Sequence, residues 1–588
     1  MSVLLSTPHR DAEASFDEAI ATQRQIIRDA HTELLDLLTR RNAEVPFIAR
    51  LPIETLAEIF ILFEHQYRQR SFAARPFGWI IITHICRHWR NVARALPRLW
   101  SHVPMFDDEE PIKMFFALSK EISLSIIPGN QVNENELDSS IFSLLAPEAP
   151  RIRSLHLCLS RDLLEDLASW WDKPWDAPMM EAISLEWSDT EELPEMHECL
   201  GFIGGDLPAL RSVSLTAPPC YFTDYFLQPT LTKLVVRHPT LPMSPEEWVD
   251  LLEELPLLEH LVLERALQDP FFRTPLTDEI LEMEHLKHLE LHELQTGRRC
   301  ADLLDRLALP ECRTLILTVR GTSTTEEHHW VFSAVASALG DCFEPKACNI
   351  LLDHTRMAVQ LWQDASPMFK DAWGFGSEER RKPSERPNVT IDFDNLKRRL
   401  PSDMLQTVVS ALPLSDIRIL RFWDPEEDRS MRPLHALPAV EALLYICPRP
   451  LDLLHELSST PALFPDLRHL TLRSAKWHAH GEKCLEPYSD PPLSTHLDTM
   501  LAARAETGVS LQELHLQILR EIGGVKEMYW LWDSGRRKDV GCFKWEEQKW
   551  RDSYPCKSCG KRSTRLREEA ERGAREYLKP DVEFANLY

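Results

Sequence analysis

A short template recurs through most of the 588 residues of the chain. Each copy reads proline, any, apolar, any, any, apolar, any, apolar, and the first runs from Pro150 to Leu157. Seven consecutive copies begin at Pro150, Pro178, Pro208, Pro229, Pro256, Glu284 and Pro310, in steps of 28, 30, 21, 27, 28 and 26 residues. Later copies begin at Pro345, Pro438 and Pro465, or are marked by the apolar residues Ile417 and Leu511. The last two apolar residues of each copy are two positions apart, so in a strand both point to the same side. A unit this short buries them only by stacking on its neighbours.

This period and the closing apolar pair resemble a leucine-rich repeat, in which short strands alternate with helical stretches. One such stretch is Pro245 to Leu255, and proline before a strand fits a chain that leaves a helix. The repeats are of an irregular type, because the Asn or Cys usual after the strand is replaced. These positions hold Ser160, Ser188, Pro218, Pro239 and Ala266. The alternative is a doubly wound α/β fold, which the recurring proline-led template fits less well.

A second pattern lies between Arg50 and Val103. Leu51-Pro52 opens a helix that carries apolar residues at i, i+3, i+4 and i+7, namely Leu56, Ile59, Phe60 and Phe63. A second helix repeats this spacing with Ile82, Ile85, Cys86 and Trp89, and Pro97 ends it. Two short amphipathic helices cannot close a core alone, so some apolar surface is expected to face a partner.

Leu-Pro, Leu-x-x-Ile-Phe, Cys-Arg-x-Trp-Arg and Pro-x-Leu-Trp follow one another here. In this order they resemble the F-box, in the form common in mushroom-forming fungi. The resemblance implies docking on a Skp-type adaptor and, through it, on a cullin. The residues that match the adaptor-facing positions are Leu51, Pro52, Leu56, Ile59, Phe60, Cys86 and Trp89. The chain departs from the pattern at Ile53, at Thr55 and in a long link, His65 to Phe77, which we predict to be an exposed loop. An ordinary helical hairpin is the alternative.

The predicted fold class is α/β, a small helical F-box followed by an irregular leucine-rich-repeat solenoid. Residues 1–45 form a helical segment, either a short coiled coil or a lone amphipathic helix, because Ile20, Ile27 and Leu34 are seven residues apart. The F-box covers 46–105, and the solenoid covers 110–525 with insertions near 364–387 and 476–494. A Trp-rich extension occupies 526–588.

Composition excludes several functions. The formal net charge is 66 − 92 = −26, which argues against nucleic-acid binding and against a polybasic membrane contact. Thirteen scattered cysteines suggest reduced thiols, and no secretory or membrane-spanning run is present. We therefore expect a soluble protein of the cytoplasm, the nucleus or both.

Residues that flank the apolar pair of each strand should face the concave side of a repeat array, where partners usually bind. The predicted substrate-binding residues are Lys233, Arg237, His260, Glu264, His288, Glu290, His292, His469 and Arg473. Their mixed charges suit a protein surface. A metal site formed by His260, His288, His292 and Glu264 is the less favoured alternative, because neighbouring strands lie about 4.8 Å apart.

No catalytic constellation is present. The sequence lacks a glycine-rich phosphate loop, a Gly-x-Ser-x-Gly elbow and a His-Glu-x-x-His motif. The lone Cys-x-x-Cys, formed by Cys556 and Cys559, falls short of the four ligands of a structural zinc site, so exposed thiols are expected. We predict no cofactor, no metal site and no enzymatic activity.

The combined patterns favour a non-catalytic substrate receptor of a Skp–cullin–F-box ubiquitin ligase. In this interpretation the F-box binds the adaptor and the repeats bind a protein substrate. The alternative is a leucine-rich-repeat scaffold or inhibitor that binds proteins without any ligase.

Overall fold

The computed structural model describes residues 7–44, 48, 51–70, 78–105, 109–128, 140–159, 176–187, 207–218, 226–268, 280–294, 296–321, 324–340, 343–353, 356–364, 386–394, 403–424, 430–447, 450–460, 463–475, 493–519 and 542–548. These residues fall into two compact units, Met1–Gln228 and Pro229–Tyr588. The division lies within the predicted repeat array.

The first unit begins with helices. They are α1 Thr7–Glu44, α2 Ile53–Arg70, α3 Ile82–Ile85, α4 Arg87–Arg94, α5 Glu109–Ser119 and α6 Ser140–Leu145. Short 3-10 helices at Gly78–Ile81, Pro97–Trp100 and Ala146–Arg151 connect them. On α1 the heptad residues Ile20, Ile27 and Leu34 are all exposed.

A parallel sheet follows in the same unit. Its strands are β1 His102–Pro104, β2 Leu124–Ile127, β3 Ile152–Leu159, β4 Ala182–Trp187 and β5 Ser212–Thr216, paired in this order. Each strand after β1 alternates between buried and half-buried or exposed residues. The buried residues are those of the template, as Leu155 and Leu157 show with no exposed surface.

The second unit is built around a larger sheet. Its strands are β6 Lys233–Arg237, β7 His260–Glu264, β9 His288–Glu293, β11 Thr314–Arg320, β12 Ala347–Leu352, β13 Met357–Trp362, β14 Val389–Asp394, β15 Ile419–Trp423, β16 Ala442–Ile446, β17 His469–Ala475, β18 Glu513–Leu519 and β19 Cys542–Gln548. The strand pairings give the spatial order β6-β7-β9-β11-β14-β13-β12-β15-β16-β17-β18-β19. All neighbours are parallel except those of β13, which runs antiparallel to β12 and β14. Two short strands, β8 Leu281–Glu282 and β10 Leu307–Ala308, pair separately.

Helices link the strands of the second unit. They are α7 Pro245–Glu253, α8 Arg298–Leu304, α9 Thr325–Leu339, α10 Met404–Ala411, α11 Leu451–Ser459 and α12 Leu493–Glu506. The predicted helix after Pro245 is α7. Ser244 and Glu247 form a capping box at its start, and Trp248 is fully buried. No helix of the described residues has the length and apolar character needed to cross a membrane.

Each template copy corresponds to a strand of the structure, so the predicted positions of strands are confirmed. The antiparallel strand pair β13 and β14 was not predicted. Neither strand has the proline-led template, and every residue of β13 is buried, so β13 has no alternation of apolar and polar positions to detect. As a result β12 pairs with β13 and β15 and does not pair with β11.

Two helix predictions need correction. Residues 65–70 belong to α2 and not to an exposed loop, and Arg68 forms an i,i+4 ion pair with Glu64. The predicted second helix is divided, because Cys86 takes an extended conformation between α3 and α4. Residues 71–77, most of both insertions and, apart from β19, the C-terminal extension lie outside the described residues.

Candidate protein-interaction surfaces

The helical part of the first unit has an aromatic interior. Trp79, Trp100 and Phe115 are buried, and the ring centroid of Trp100 lies 5.3 Å from that of Trp79 and 5.2 Å from that of Phe115, both edge to face. On α2, Phe60 packs against Trp89 of α4 at 5.1 Å between centroids. Such tilted contacts add to the stabilisation that comes from burial alone. The helices therefore form a packed scaffold with its own core.

Three hydrogen bonds hold α3 and α4 in place. Sγ of Cys86 accepts from the backbone N–H of Trp89 at 3.5 Å and so caps α4. Arg90 Nε donates to the carbonyl of Thr83 at 2.9 Å, and Trp100 Nε1 donates to the carbonyl of Ala93 at 2.8 Å. Cys86 thus has a local structural role at the junction of the two helices.

The seven predicted adaptor-binding residues occupy different environments. Leu56 and Phe60 are 0% and 1% exposed, so they stabilise the helical scaffold and offer no side-chain surface to a partner. Leu51, Cys86 and Trp89 are half-buried, whereas Pro52 and Ile59 are exposed. Leu56 and Phe60 therefore pack inside the isolated scaffold, and their assignment to the adaptor interface stays a prediction.

The structure adds apolar residues that the motif did not single out. On α2, Ile59, Leu62 and Phe63 are 39%, 57% and 38% exposed at i, i+3 and i+4. This spacing places them on one side of the helix, beside the side that holds Leu56 and Phe60. We call these three residues the α2 apolar face. Three large apolar side chains left accessible on one helix are a feature of partner-binding helices.

A buried polar pair lies between α2 and β1. Oε1 of Glu64 is 3.2 Å from Nε of Arg68 and 3.6 Å from Nδ1 of His102. Burial raises the pKa of Glu64 despite the attraction of Arg68, and burial lowers the pKa of His102 to about 4. The imidazole is therefore neutral near pH 7, and its contact with Glu64 is not an ion pair.

In the second unit the predicted substrate-binding residues line up across strands. Lys233 of β6, His260 of β7 and His288 of β9 occupy one register row, and Arg237, Glu264 and His292 occupy another. Glu290 lies between these rows on β9. All seven side chains are half-buried or exposed, while their strand neighbours such as Leu261 and Leu289 are fully buried. The sheet therefore brings these residues together on one face, which we call the β6–β9 polar face.

The carboxylates of this face are already engaged. Glu264 lies 3.4 Å from Nε of Arg237 and 3.2 Å from Nε2 of His238. Glu290 lies 2.6 Å from Nε2 of His288 and 3.3 Å from Nε2 of His292. The pKa of Glu290 is held well below its usual range by hydrogen bonds from both imidazoles. The carboxylate is the acceptor in both contacts, so each imidazole donates from Nε2.

The remaining predicted residues are distant in the strand order. His469 on β17 is half-buried, and its Nδ1 lies 3.4 Å from Oε2 of Glu513 on β18. The backbone of Arg473 belongs to β17, but its side chain lies outside the described part of the chain, as do Cys556 and Cys559.

The alternative metal site of His260, His288, His292 and Glu264 does not gather its donor atoms. Within the described residues, His, Cys, Asp or Glu donor atoms converge to within 4.8 Å in one group of three, which lies in the first unit. Its members are His156, Cys158 and Glu186. Sequence reasoning missed this group, although aligning successive templates places Cys158 and Glu186 at equivalent positions.

Comparison with known proteins found likenesses among solved structures. No family model and no curated protein matches the chain. Among solved structures the chain is similar to one described as "Crystal structure of Rad7 and Elc1 complex in yeast", with 11% identity and a TM-score of 0.23. The similarity covers 88% of this chain and 96% of that chain. At this TM-score the likeness supports no statement about function or partners.

Proposed function

We propose that this protein is a non-catalytic substrate receptor of a Skp–cullin–F-box ubiquitin ligase. The helical scaffold formed by α2 to α5 would dock on the Skp-type adaptor, and the adaptor would connect it to a cullin. The observation that carries this proposal is the α2 apolar face. It lies in the segment that resembles the F-box, on a helix that packs against other helices of the scaffold. The described residues of α2 to α5 thus combine a packed core with accessible apolar surface, as a docking module requires.

We propose that the strands and linking helices form an irregular leucine-rich-repeat solenoid. Support comes from the parallel strands that follow one another at the template period, with their template residues buried. The residues that directly follow β6 and β7 also have the same backbone conformation. His238 and Arg265 take positive φ values of 51° and 53°. Each donates its backbone N–H to a backbone carbonyl of the next strand, that of Glu264 on β7 and that of His292 on β9. This repeated turn links successive units where the usual Asn or Cys is missing.

The β6–β9 polar face is the proposed substrate-binding surface. It carries Lys233 and Arg237 beside Glu264 and Glu290, so both signs of charge lie within three neighbouring strands. A surface of this kind fits a protein segment that bears alternating charges, because complementary pairs contribute mainly to specificity and to the rate of association. The substrate would therefore be a protein.

Recovery of the adaptor with variants of the α2 apolar face tests the proposal. The full chain is co-expressed with the Skp-type adaptor of the same organism, either unmodified or as the double variant Ile59→Ala/Leu62→Ala. About half of each side chain is accessible in the free chain. Burial of this half on docking would contribute roughly half of the 1.5–3 kcal/mol that a fully buried apolar side chain contributes. For two residues this gives about 1.5–3 kcal/mol, or a roughly ten- to hundredfold loss of affinity.

A matched control separates this contact from general apolar adhesion. Leu257 and Ile280 of the second unit are 42% and 62% exposed, close to the values for Ile59 and Leu62. The variant Leu257→Ala/Ile280→Ala should recover the adaptor as well as the unmodified chain does. If the unmodified chain recovers no adaptor, the ligase proposal fails and a scaffold or inhibitor without ligase is favoured. Equal recovery with both double variants would instead place the docking surface elsewhere.

A further inference from the structure

A mixed donor group lies on β3 and β4 of the first unit. On β3, His156 and Cys158 alternate with Leu155, Leu157 and Leu159, which are buried. They therefore share the opposite face of the strand. Glu186 of β4 is the register partner of Cys158, and it alternates in the same way with buried neighbours. The sheet register thus places an imidazole, a thiol and a carboxylate on one face of two adjacent strands.

The donor atoms of these three side chains converge. The ligating atoms offered by His156, Cys158 and Glu186 all lie within 4.8 Å of one another. In a tetrahedral zinc site, bonds of about 2.0–2.3 Å separate the donors by roughly 3.5 Å. Side-chain rotations that move each donor atom by about an ångström would bring donors that lie up to 4.8 Å apart to the separation found in a zinc site.

The surroundings favour a fixed arrangement. His156 and Cys158 are half-buried, and the parallel ladder between β3 and β4 is continuous from Ser154 to Leu159. Small hydroxyl residues adjoin the group in register, because Ser184 is the partner of His156 and Thr216 of β5 is the partner of Glu186. The backbone of the donor residues is therefore ordered before any ion binds, and the hydroxyl side chains of Ser184 and Thr216 lie beside the group.

The donor types select the ion. A nitrogen and a sulfur donor disfavour Mg²⁺ and Ca²⁺, which require oxygen ligands. A thiolate and a carboxylate together carry two negative charges, which neutralise a divalent cation when the imidazole is neutral. Zinc accepts this set of nitrogen, sulfur and oxygen ligands.

We propose that His156, Cys158 and Glu186 bind one Zn²⁺ ion, with water in the fourth coordination position. The ion links two neighbouring strands of the sheet. The site is independent of the adaptor and substrate surfaces proposed above, because none of its residues belongs to the α2 apolar face or to the β6–β9 polar face.

Metal titration of the purified full chain under reducing conditions tests the proposal. Because Cys556 and Cys559 could bind metal themselves, the parent protein carries Cys556→Ser/Cys559→Ser. Cobalt(II) serves as the spectroscopic probe, since a four-coordinate site with a thiolate gives strong visible bands and a sulfur-to-cobalt charge-transfer band. We expect one equivalent of Co²⁺ to produce both features, and Zn²⁺ to abolish them by displacement.

Two variants test individual ligands, and a third serves as the control. Cys158→Ser should remove the charge-transfer band, and Glu186→Gln should weaken Zn²⁺ binding by roughly a hundredfold or more, since even outer partners of zinc ligands contribute ten- to hundredfold. Cys312→Ser is the matched control, because Cys312 is also half-buried but lies in the second unit. It should leave both bands unchanged.

The outcomes are decisive in either direction. Glu186 is exposed, so Glu186→Gln should keep the metal-free fold, as circular dichroism can verify, even if Cys158→Ser folds poorly. Failure of the parent protein to bind either Co²⁺ or Zn²⁺ would overturn the proposal. An unchanged charge-transfer band in folded Cys158→Ser, or unchanged Zn²⁺ affinity in Glu186→Gln, would also overturn it.

Discussion

Truncation of two neighbouring residues on α2 should destabilise the helical scaffold to very different extents. Phe60 is 1% exposed and packs on Trp89 at 5.1 Å, so Phe60→Ala should destabilise the helical scaffold by about 3–5 kcal/mol through loss of burial and a residual cavity. Ile59 is 39% exposed, and Ile59→Ala removes only three partly buried carbons, at a cost of about 1–1.5 kcal/mol. Domains are stable by only about 5–15 kcal/mol. Phe60→Ala would therefore remove a large part of the free energy of unfolding, whereas Ile59→Ala would remove a small part.

Hydrogen–deuterium exchange on the full chain measures this difference, since global unfolding of a chain with two units is not a single two-state transition. In Phe60→Ala, amides of α2 and α4 should exchange roughly a hundredfold faster or more. In Ile59→Ala the increase should stay near tenfold, and Leu62→Ala, at 57% exposure, should change less still. If Ile59→Ala accelerated exchange in α4 as much as Phe60→Ala, the division of α2 into a buried and an exposed side would be wrong.

Two further predictions concern buried polar groups. Burial raises the pKa of Glu293 from 4.5 to about 7, so its protonated form stabilises the native state below about pH 4.5, and this contribution is lost as the pH rises through about 7. In hydrogen–deuterium exchange corrected for the intrinsic pH dependence, the opening free energy of β9 should fall by roughly 2.5 kcal/mol between about pH 5 and about pH 8. Glu293→Gln should abolish this fall, while Leu267 N–H still has an acceptor. An unchanged pH dependence would contradict this. Trp100→Phe should lose the 2.8 Å hydrogen bond to the Ala93 carbonyl, and α4 should exchange roughly tenfold faster, at a cost of about 1–2 kcal/mol. Unaltered exchange would show that this bond contributes little.

Much of the strand architecture could be predicted from the sequence. The template alone located β3 to β7 and β9, and it identified buried residues such as Leu155 and Leu157. It also implied the register, because successive copies align Cys158 with Glu186, as the sheet does. This was possible because alternation along a strand is a local property, and because each strand pairs with its neighbour at the equivalent position of the repeat.

Contacts between residues distant in sequence decided the rest. The apolar stripe on α2 did not reveal that Phe60 meets Trp89 while Ile59 stays accessible, since periodicity identifies the apolar positions but not the elements that cover them. The antiparallel pairing of β13 with β14 and the convergence of His156 with Glu186 likewise required the sheet to be assembled. The physical reason is that side-chain burial and the distances between donor atoms are set by packing across elements. Sequence spacing alone determines neither.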